Sequence, residues 1–333
     1  MPEKKEKIAL FLGGTSPEKE VSKSTAKSIY AALKKLGHDV ILINPAYGKK
    51  QPKNIEDFFS DKEYSELSNE NYVEVVNSDL MDGINLVFLA LHGKWGEDGT
   101  IQALLELKGI KYTGSKILAS AISIDKEMSK ILFNHYGIQT PRWFSLTKPY
   151  IDKGELNNRI KEELGFPCVI KPNDQGSTVG VTICKEEKET TAALKLAFEY
   201  SSKAILEEYI AGREMTVAIL EDKSLPALEI KPRHQMYDYE SKYTSGMSEY
   251  FVPADVPEKV FKNLQEQALS AFKALGCEVY ARVDFRLSES NESYCLEVNT
   301  LPGMTSTSLV PKMAKAAGIS FEELINKIVR LSR

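Results

Sequence analysis

Three oxygen-bearing side chains and a guanidinium stand out in the stretch Val279–Thr305, VYARVDFRLSESNESYCLEVNTLPGMT: Asp284, Glu297, Asn299 and Arg282. Two alternating segments flank a polar turn there, the pattern of a β-hairpin. The register that faces Asp284 with Glu297 also faces Val283 with Val298, Phe285 with Leu296 and Leu287 with Tyr294, and closes an even-length turn at Ser290-Asn291. A one-residue slip would push charges into the core. The other face sets Arg282 across from Asn299 and the two carboxylates across from each other. Like charges at that spacing, ~5 Å between Cβ atoms, repel, so a cation belongs between them. Hard oxygen donors suit Mg²⁺, which often bridges to substrate phosphates. The competing reading is a solvated face whose acids are neutralised by Arg282 and Arg286.

Further groups able to handle an anion are spread along the chain. Lys171 lies in an apolar strand between Val169-Ile170 and Pro172, ahead of Gly176-Ser177-Thr178-Val179-Gly180. Such a loop can fold its amides over phosphates while the lysine serves as a point charge; a hairpin turn with a surface lysine is the plainer alternative. Lys126 falls near the start of a helix expected over Ser123–Tyr136. His92 ends the apolar run Leu86–Leu91 and opens a loop with three glycines, where the backbone turns tightly or approaches a ligand. On its own it reads as a loop histidine. Glu18, behind Gly13-Gly14, reads on its own as a helix-dipole partner. Lys231–Val252 lacks periodicity and holds four tyrosines, His234 and Lys242, as lids and binding loops do.

The elements that must position these groups follow from the pattern. A chain of 333 residues exceeds one ordinary core, so two or three domains are expected. Strand Lys7–Leu12, a glycine loop, a helix with the stripe Val21, Ile29, Leu33, Leu36, and strand Asp39–Ile43 open a doubly wound α/β unit. Its first run is a strand and not a signal peptide. The segment KYTGSK leaves that unit, and AILEEYI before Gly212 is a hinge. The expected division is 1–116, 117–207 and 208–333. Closing helices are expected at Ser308–Ala317 and Ser320–Leu331, the second with a Ser320…Glu323 capping box. Neither the dinucleotide fingerprint nor the P-loop GxxxxGK[ST] occurs. A net charge of −4 argues against a general nucleic-acid binder, and no apolar run approaches a membrane span. Four scattered cysteines without CxxC suit buried thiols in a reducing cytosol.

Lysines, a Gly/Ser flap, oxygen donors on a hairpin and a tyrosine-rich lid describe a site for a nucleoside triphosphate with Mg²⁺. On GGTSPEKEVS, LHGKWGEDGTIQ, YTGS, IDK, VIKPNDQGSTVG, YDYESKY, ARVDFRL and LEVNTLPGMTSTSLVP, in that order over nearly the whole length, the chain resembles the ATP-grasp superfamily. Within it, the chain closely resembles the D-alanine–D-alanine ligase family. The resemblance implies an α/β fold with α+β character in the C-terminal half: three ATP-grasp domains, the first Rossmann-like. It implies that Lys126 and Lys171 hold the α- and β-phosphates under the Gly176, Ser177, Thr178 flap, and that Lys242 reaches the γ-phosphate. Glu207, Glu208, Tyr209 and Ile210, with Glu214, would hold adenine and ribose. Asp284, Glu297 and Asn299 would ligate two Mg²⁺ (or Mn²⁺) ions, with a monovalent cation as a further candidate. Glu18, with Ser177 and Tyr243, would orient the first D-alanine's ammonium beside His92. Arg282 would stabilise the acyl oxygen, while Gly303, Ser308 and Leu309 would seat the second substrate's carboxylate. ATP and D-alanine as substrates, a homodimer, and a cytoplasmic role in peptidoglycan precursor synthesis are implied too. Gln175 stands where some members carry Glu and Glu208 where some carry Lys, which leaves side-chain contact to adenine open at the latter. Two alternatives remain: a ligase of the same fold with another acceptor, and a nucleotide-sensing module, disfavoured by the intact set of lysines, oxygen donors and arginine.

Overall fold

The computed structural model describes residues 5–148, 153–232 and 247–333. Three sheets carry the architecture. Strands β1 (Lys7–Phe11), β2 (Asp39–Ile43) and β3 (Leu86–Leu89) form a parallel sheet in the order β2-β1-β3. Both faces of β1 and β3 are buried, which explains their unbroken apolar runs. Helix α1 (Lys19–Lys35) covers this sheet with Ser22, Ala26, Ile29 and Leu33. Two short helices follow β2, α2 (Ile55–Phe58) and α3 (Glu70–Val76), where the sequence offered little pattern. Helix α4 (Thr100–Leu107) follows the glycine loop.

The helix expected over Ser123–Tyr136 begins three residues later, and a separate short helix precedes it. Helix α5 (Ile117–Ile124) ends at Asp125, whose carboxylate accepts from Met128 N at 2.9 Å and caps α6 (Lys126–His135). Lys126 therefore sits at the first helical position of α6, aimed by the cap.

The second sheet is antiparallel, ordered β4-β7-β5-β6, from β4 (Trp143–Thr147), β5 (Cys168–Pro172), β6 (Thr182–Cys184) and β7 (Lys203–Glu208). Helices α7 (Lys153–Glu163) and α8 (Thr190–Tyr200) bury their apolar faces against it through Leu156, Ile160, Leu194 and Ala197.

The third sheet runs β11-β10-β8-β12-β13, with the two-residue β9 (Lys223–Ser224) paired to β8 (Arg213–Leu220). Strands β10 (Leu228–Pro232) and β11 (Ser248–Phe251) occupy both ends of the stretch expected to lack structure; only its interior, with Lys242, Tyr243 and His234, lies outside the described residues. Helix α9 (Glu258–Ala274) packs on one face of this sheet against Val217, Val283 and Phe285.

The central hairpin is β12 (Tyr280–Leu287) and β13 (Ser293–Asn299). Arg282 pairs with Asn299, Val283 with Val298 and Asp284 with Glu297, as the pattern requires. A bulge then shifts the register, so that Phe285 faces Cys295 and Leu287 faces Ser293, not Leu296 and Tyr294. The turn accordingly spans 288–292, an odd number, with Asn291 left-handed at φ 65°. The physical reason lies in burial: Cys295 and Val298 are buried, while Leu296 and Glu297 between them are both only partly covered. One extra residue lets two consecutive side chains serve the same face.

Helices α10 (Leu309–Ala316) and α11 (Phe321–Leu331) close the described chain, the latter with the expected Ser320–Glu323 capping box. Their apolar residues Val310, Met313, Ile325 and Val329 belong to the same core as Ile8, Leu10 and Ile29. Residues more than 270 positions apart thus share one hydrophobic interior.

Candidate active site

Two adjoining spaces lie among the three sheets. The first is a cleft of about 1050 Å³, counting the space at its mouth, between the second and third sheets. Val169, Ile183, Ile210 and Leu296 give it apolar walls, and Lys126, Lys171, Glu207, Glu214, Asp284 and Glu297 a polar end. Leu296 reaches this wall through the bulge, which makes that irregularity part of the site.

The lysines are held in place by acids. Lys126 Nζ lies 3.1 Å from Glu297 and donates to the Gln175 carbonyl at 2.8 Å, tying α6 to the flap and to β13. Lys171 Nζ donates to Glu207 Oε1 at 2.5 Å, and the fully buried Lys130 lies 2.9 Å from Glu207 Oε2. Burial alone would raise the Glu207 carboxyl, but the charges of Lys130 and Lys171 outweigh it and hold the group down at about 2. The Glu207 side chain is therefore engaged by lysines, while Glu208 is held by Arg142 N and Nε at 2.9 and 2.7 Å. Tyr209 and Ile210 complete the connector, whose backbone is fixed by Arg286: its guanidinium donates to the carbonyls of Ile210 and Gly212 at 3.0 and 2.7 Å and pairs with Glu214 at 3.1 Å. Arg286 thus serves the cleft and does not neutralise the hairpin acids. Above the lysines, Ser177 and Thr178 are both left-handed, at φ 49° and 63°. Such strain in non-glycine residues persists where a loop is shaped for a purpose.

The second space is a chamber of about 1370 Å³ lined by Glu18, His92, Glu97, Arg282, Asn299, Gly303, Ser308 and Leu309. Gly176 and Glu297 line both spaces. Ser177 Oγ donates to Glu18 Oε1, closing the flap onto the loop before α1. A side chain on Gly93 would meet Glu18 Oε2 at 2.7 Å and be strained at this φ of +68°. His92 is buried, its Nε2 3.0 Å from Thr25 Oγ1; burial lowers its pKa despite the nearby Glu18 charge. Glu97 accepts from Gly93 N at 2.7 Å, and burial, reinforced by the charge of Glu18, pushes it up to about 8. Ser308 is the N-cap of α10, and its hydroxyl accepts from Thr305 N at 3.0 Å. Gly303 lies against it. Free amides at such a helix start suit a carboxylate.

At the junction, Asp284 accepts two bonds from Arg282, at 2.9 and 2.7 Å, and one each from Thr216 at 2.7 Å and Asn299 at 3.0 Å. The repulsion expected between Asp284 and Glu297 is thus relieved by Arg282 and Lys126. Among the described residues no group of three or more His, Cys, Asp and Glu is arranged to hold a metal ion. The hairpin offers two carboxylates and an amide, all oxygen donors, which fits a Mg²⁺ ion whose remaining ligands are phosphate oxygens and water.

Sequence reasoning passed over three residues here. Lys130 looked like any helix lysine, and Glu97 was seen only as part of a glycine loop. Leu296 was assigned to the core by a register that the bulge breaks. The signal for Lys130 was its spacing: four residues after Lys126, it shares that residue's helix face.

A lysine-lined cleft between two sheets, roofed by a strained flap and opening into an acid-lined chamber, is the arrangement that the ATP-grasp resemblance leads one to expect. Comparisons with known proteins narrow this. Residues 7–115 match the family model described as D-ala D-ala ligase N-terminus, and residues 132–330 match D-ala D-ala ligase C-terminus. The D-alanine–D-alanine ligase of Halalkalibacterium halodurans is 42% identical over 332 residues, covering 98% of this chain and 99% of the relative. The crystal structure of the Bacillus anthracis D-alanine–D-alanine ligase complexed with ATP is 35% identical, with a TM-score of 0.77 over 98% of this chain and 97% of that one. The VanG D-Ala:D-Ser ligase of Enterococcus faecalis is 31% identical, with a TM-score of 0.81 over 99% and 100%. The chain belongs to the D-ala D-ala ligase family.

Proposed function

We propose that this chain is an ATP-dependent ligase that joins two D-alanine molecules into D-alanyl-D-alanine, releasing ADP and phosphate and supplying a peptidoglycan precursor in the cytoplasm. The observation that carries this reading is the shared wall: Gly176 and Glu297 line both the cleft and the chamber. A phosphate held by Lys126 and Lys171 would end where a carboxylate in the chamber begins.

In the first step an oxygen of the first D-alanine's carboxylate attacks the γ-phosphorus and ADP leaves. In the second, the free amine of the other D-alanine attacks the acyl carbon and phosphate leaves. Glu18, fixed by Ser177, holds the first ammonium, with His92 beside it; Tyr243, outside the described residues, is assigned to the same group on the family resemblance alone. The start of α10 at Ser308 and Leu309, with Gly303, seats the second carboxylate. Arg282 borders the chamber and answers negative charge on the acyl oxygen. Asp284, Glu297 and Asn299 would hold Mg²⁺ or Mn²⁺, which neutralises phosphate charge when bound. Apolar walls and the Tyr209–Ile210 connector receive adenine, Glu214 the ribose, and the flap with Thr178 the phosphates; Lys242, outside the described residues, is assigned to the γ-phosphate on the family resemblance alone. Because Glu207 and Glu208 are engaged by lysines and Arg142, they contribute backbone and positioning more than side-chain contacts to the base.

We read the chain as three units, 1–116, 117–207 and 208–333, each built on one of the three sheets, with the closing helices of the third packed into the core of the first. Exposed Leu107 and Leu118 on neighbouring helices supply apolar surface for a homodimer. No described helix is long and apolar enough to cross a membrane. The test is ADP release across D- and L-amino acids, D-serine and D-lactate. Release with D-alanine alone is expected. Release without any amino acid, or only with a different acceptor, would overturn the reading.

A further inference from the structure

The reaction described above uses Lys126 and Lys171 but gives no work to the lysine buried between them. Lys130 is fully inaccessible, one turn beyond Lys126 on α6. Its ammonium lies 2.9 Å from Glu207 Oε2 and donates to Thr140 Oγ1 at 2.7 Å. Glu207, itself 4% exposed, holds Lys171 on its other oxygen at 2.5 Å. The three groups form a buried lysine–glutamate–lysine chain, in which burial lowers the Lys130 pKa and the Glu207 charge raises it; only its Lys171 end, with Glu207, borders the nucleotide cleft.

We propose that Lys130 is a positioning residue for nucleotide binding, acting as the resident counter-charge of Glu207 so that Lys171 can turn from that carboxylate to a phosphate. The inference rests on the nucleotide reading of the cleft. Its physical basis is the cost of stranding a buried charge. If Lys171 were the sole partner of Glu207, phosphate could gain the lysine only by leaving a buried carboxylate unpaired, which is strongly unfavourable. With Lys130 in place, Glu207 remains neutralised whichever way Lys171 points. The second cation also keeps Lys171 from being gripped by an undivided negative charge. A lysine that only stapled α6 to the second sheet would have no reason to discriminate between ligands with and without phosphate.

Calorimetric binding of ATP and of adenosine separates these roles, using the full-length protein. Lys130→Met is expected to weaken ATP binding about tenfold while changing adenosine binding less than about twofold. Adding Glu207→Gln, which removes the charge that then holds Lys171, should recover most of the ATP affinity lost in Lys130→Met. Equal losses for ATP and adenosine, or a double variant as weak as the single, would overturn the proposal. Should Lys130→Met fail to fold, Glu207→Gln is compared with the double variant. With Glu207 uncharged, removing Lys130 should leave ATP affinity within about twofold, and a larger loss would refute the counter-charge role. Absence of ATP binding by the unaltered protein would instead overturn the nucleotide reading itself, and this inference with it.

Discussion

The cleft and the chamber share a wall but manage charge in opposite ways. In the cleft, Lys126 answers Glu297, Lys130 and Lys171 share Glu207, and Arg286 answers Glu214. The chamber gathers Glu18, Glu97 and Glu297 around Arg282, which is itself bidentate on Asp284. There burial does what counter-ions do next door, raising Glu97 to about 8 and lowering the His92 pKa. The cleft thus keeps each of its cations ordered by pairing it with an acid. The chamber keeps acid in excess, as a site for ammonium groups requires. Adjoining spaces in one fold thus settle their charges differently, by ion pairing in the cleft and by burial in the chamber, and the flap lies where they meet.

The sharpest way to break this comparison is to remove the acid common to both sides. Glu297→Gln should leave the protein folded and cut ADP release by about a thousandfold or more, since an anion that faces Lys126 and the oxygen-donor set is lost. Retention of most activity at saturating Mg²⁺ would make the hairpin acids structural. Next in size, Lys171→Ala should weaken ATP binding by roughly tenfold to a hundredfold, as for one charge-assisted hydrogen bond, and leave D-alanine binding nearly unchanged. Calorimetric titration of each ligand decides it.

A third prediction uses pH and has opposite signs in the two regions. Glu97 is raised above its unfolded value, so the folded state holds a proton that the unfolded chain releases. Its contribution to stability is fully present below about pH 4.5 and fades as pH rises to about 8. Glu207 is depressed, so its contribution is present above about pH 4.5 and is lost as pH falls towards about 2. Urea unfolding between pH 5 and pH 8 should therefore show a decline that is shallower in Glu97→Gln, by up to about 1 kcal/mol per pH unit. Equal slopes would mean that Glu97 is already ionised at pH 5.

The smallest expected effect concerns Tyr243, which lies outside the described residues. Given D-alanine with excess D-lactate, the unaltered protein should make almost only the dipeptide, and Tyr243→Phe should raise the ester fraction a few-fold. Chromatography of labelled products reads both. An unchanged ratio would remove Tyr243 from the hydrogen-bond group of Glu18 and Ser177.

What could be read in advance follows the range of each signal. The pairing of Asp284 with Glu297 was legible because alternation fixes which side chains share a face. The bulge after Asp284 was not, because Leu296 satisfies an apolar pattern equally well in the core or on the wall of a cleft. The break at Asp125 was written in the residues, an acid ahead of a helix start, yet apolar residues on both sides hid it. Lys130 shows a harder limit. Its spacing from Lys126 gives the helix face, but its burial depends on β7 bringing Glu207 against α6, which lies far away in sequence.

The helices that end the described chain carry a consequence for how the molecule assembles. Val310, Met313, Ile325 and Val329 complete the interior around Ile8 and Leu10, and Lys35 of α1 pairs with Glu322 of α11 at 2.7 Å. The strands of the first sheet therefore cannot finish their interior until helices some three hundred residues further along the chain have been synthesised. Contacts of such long sequence separation form slowly, so early β strands wait with apolar surface uncovered while some three hundred residues are added. Deleting α11 should therefore injure the sheet of β1, β2 and β3 first.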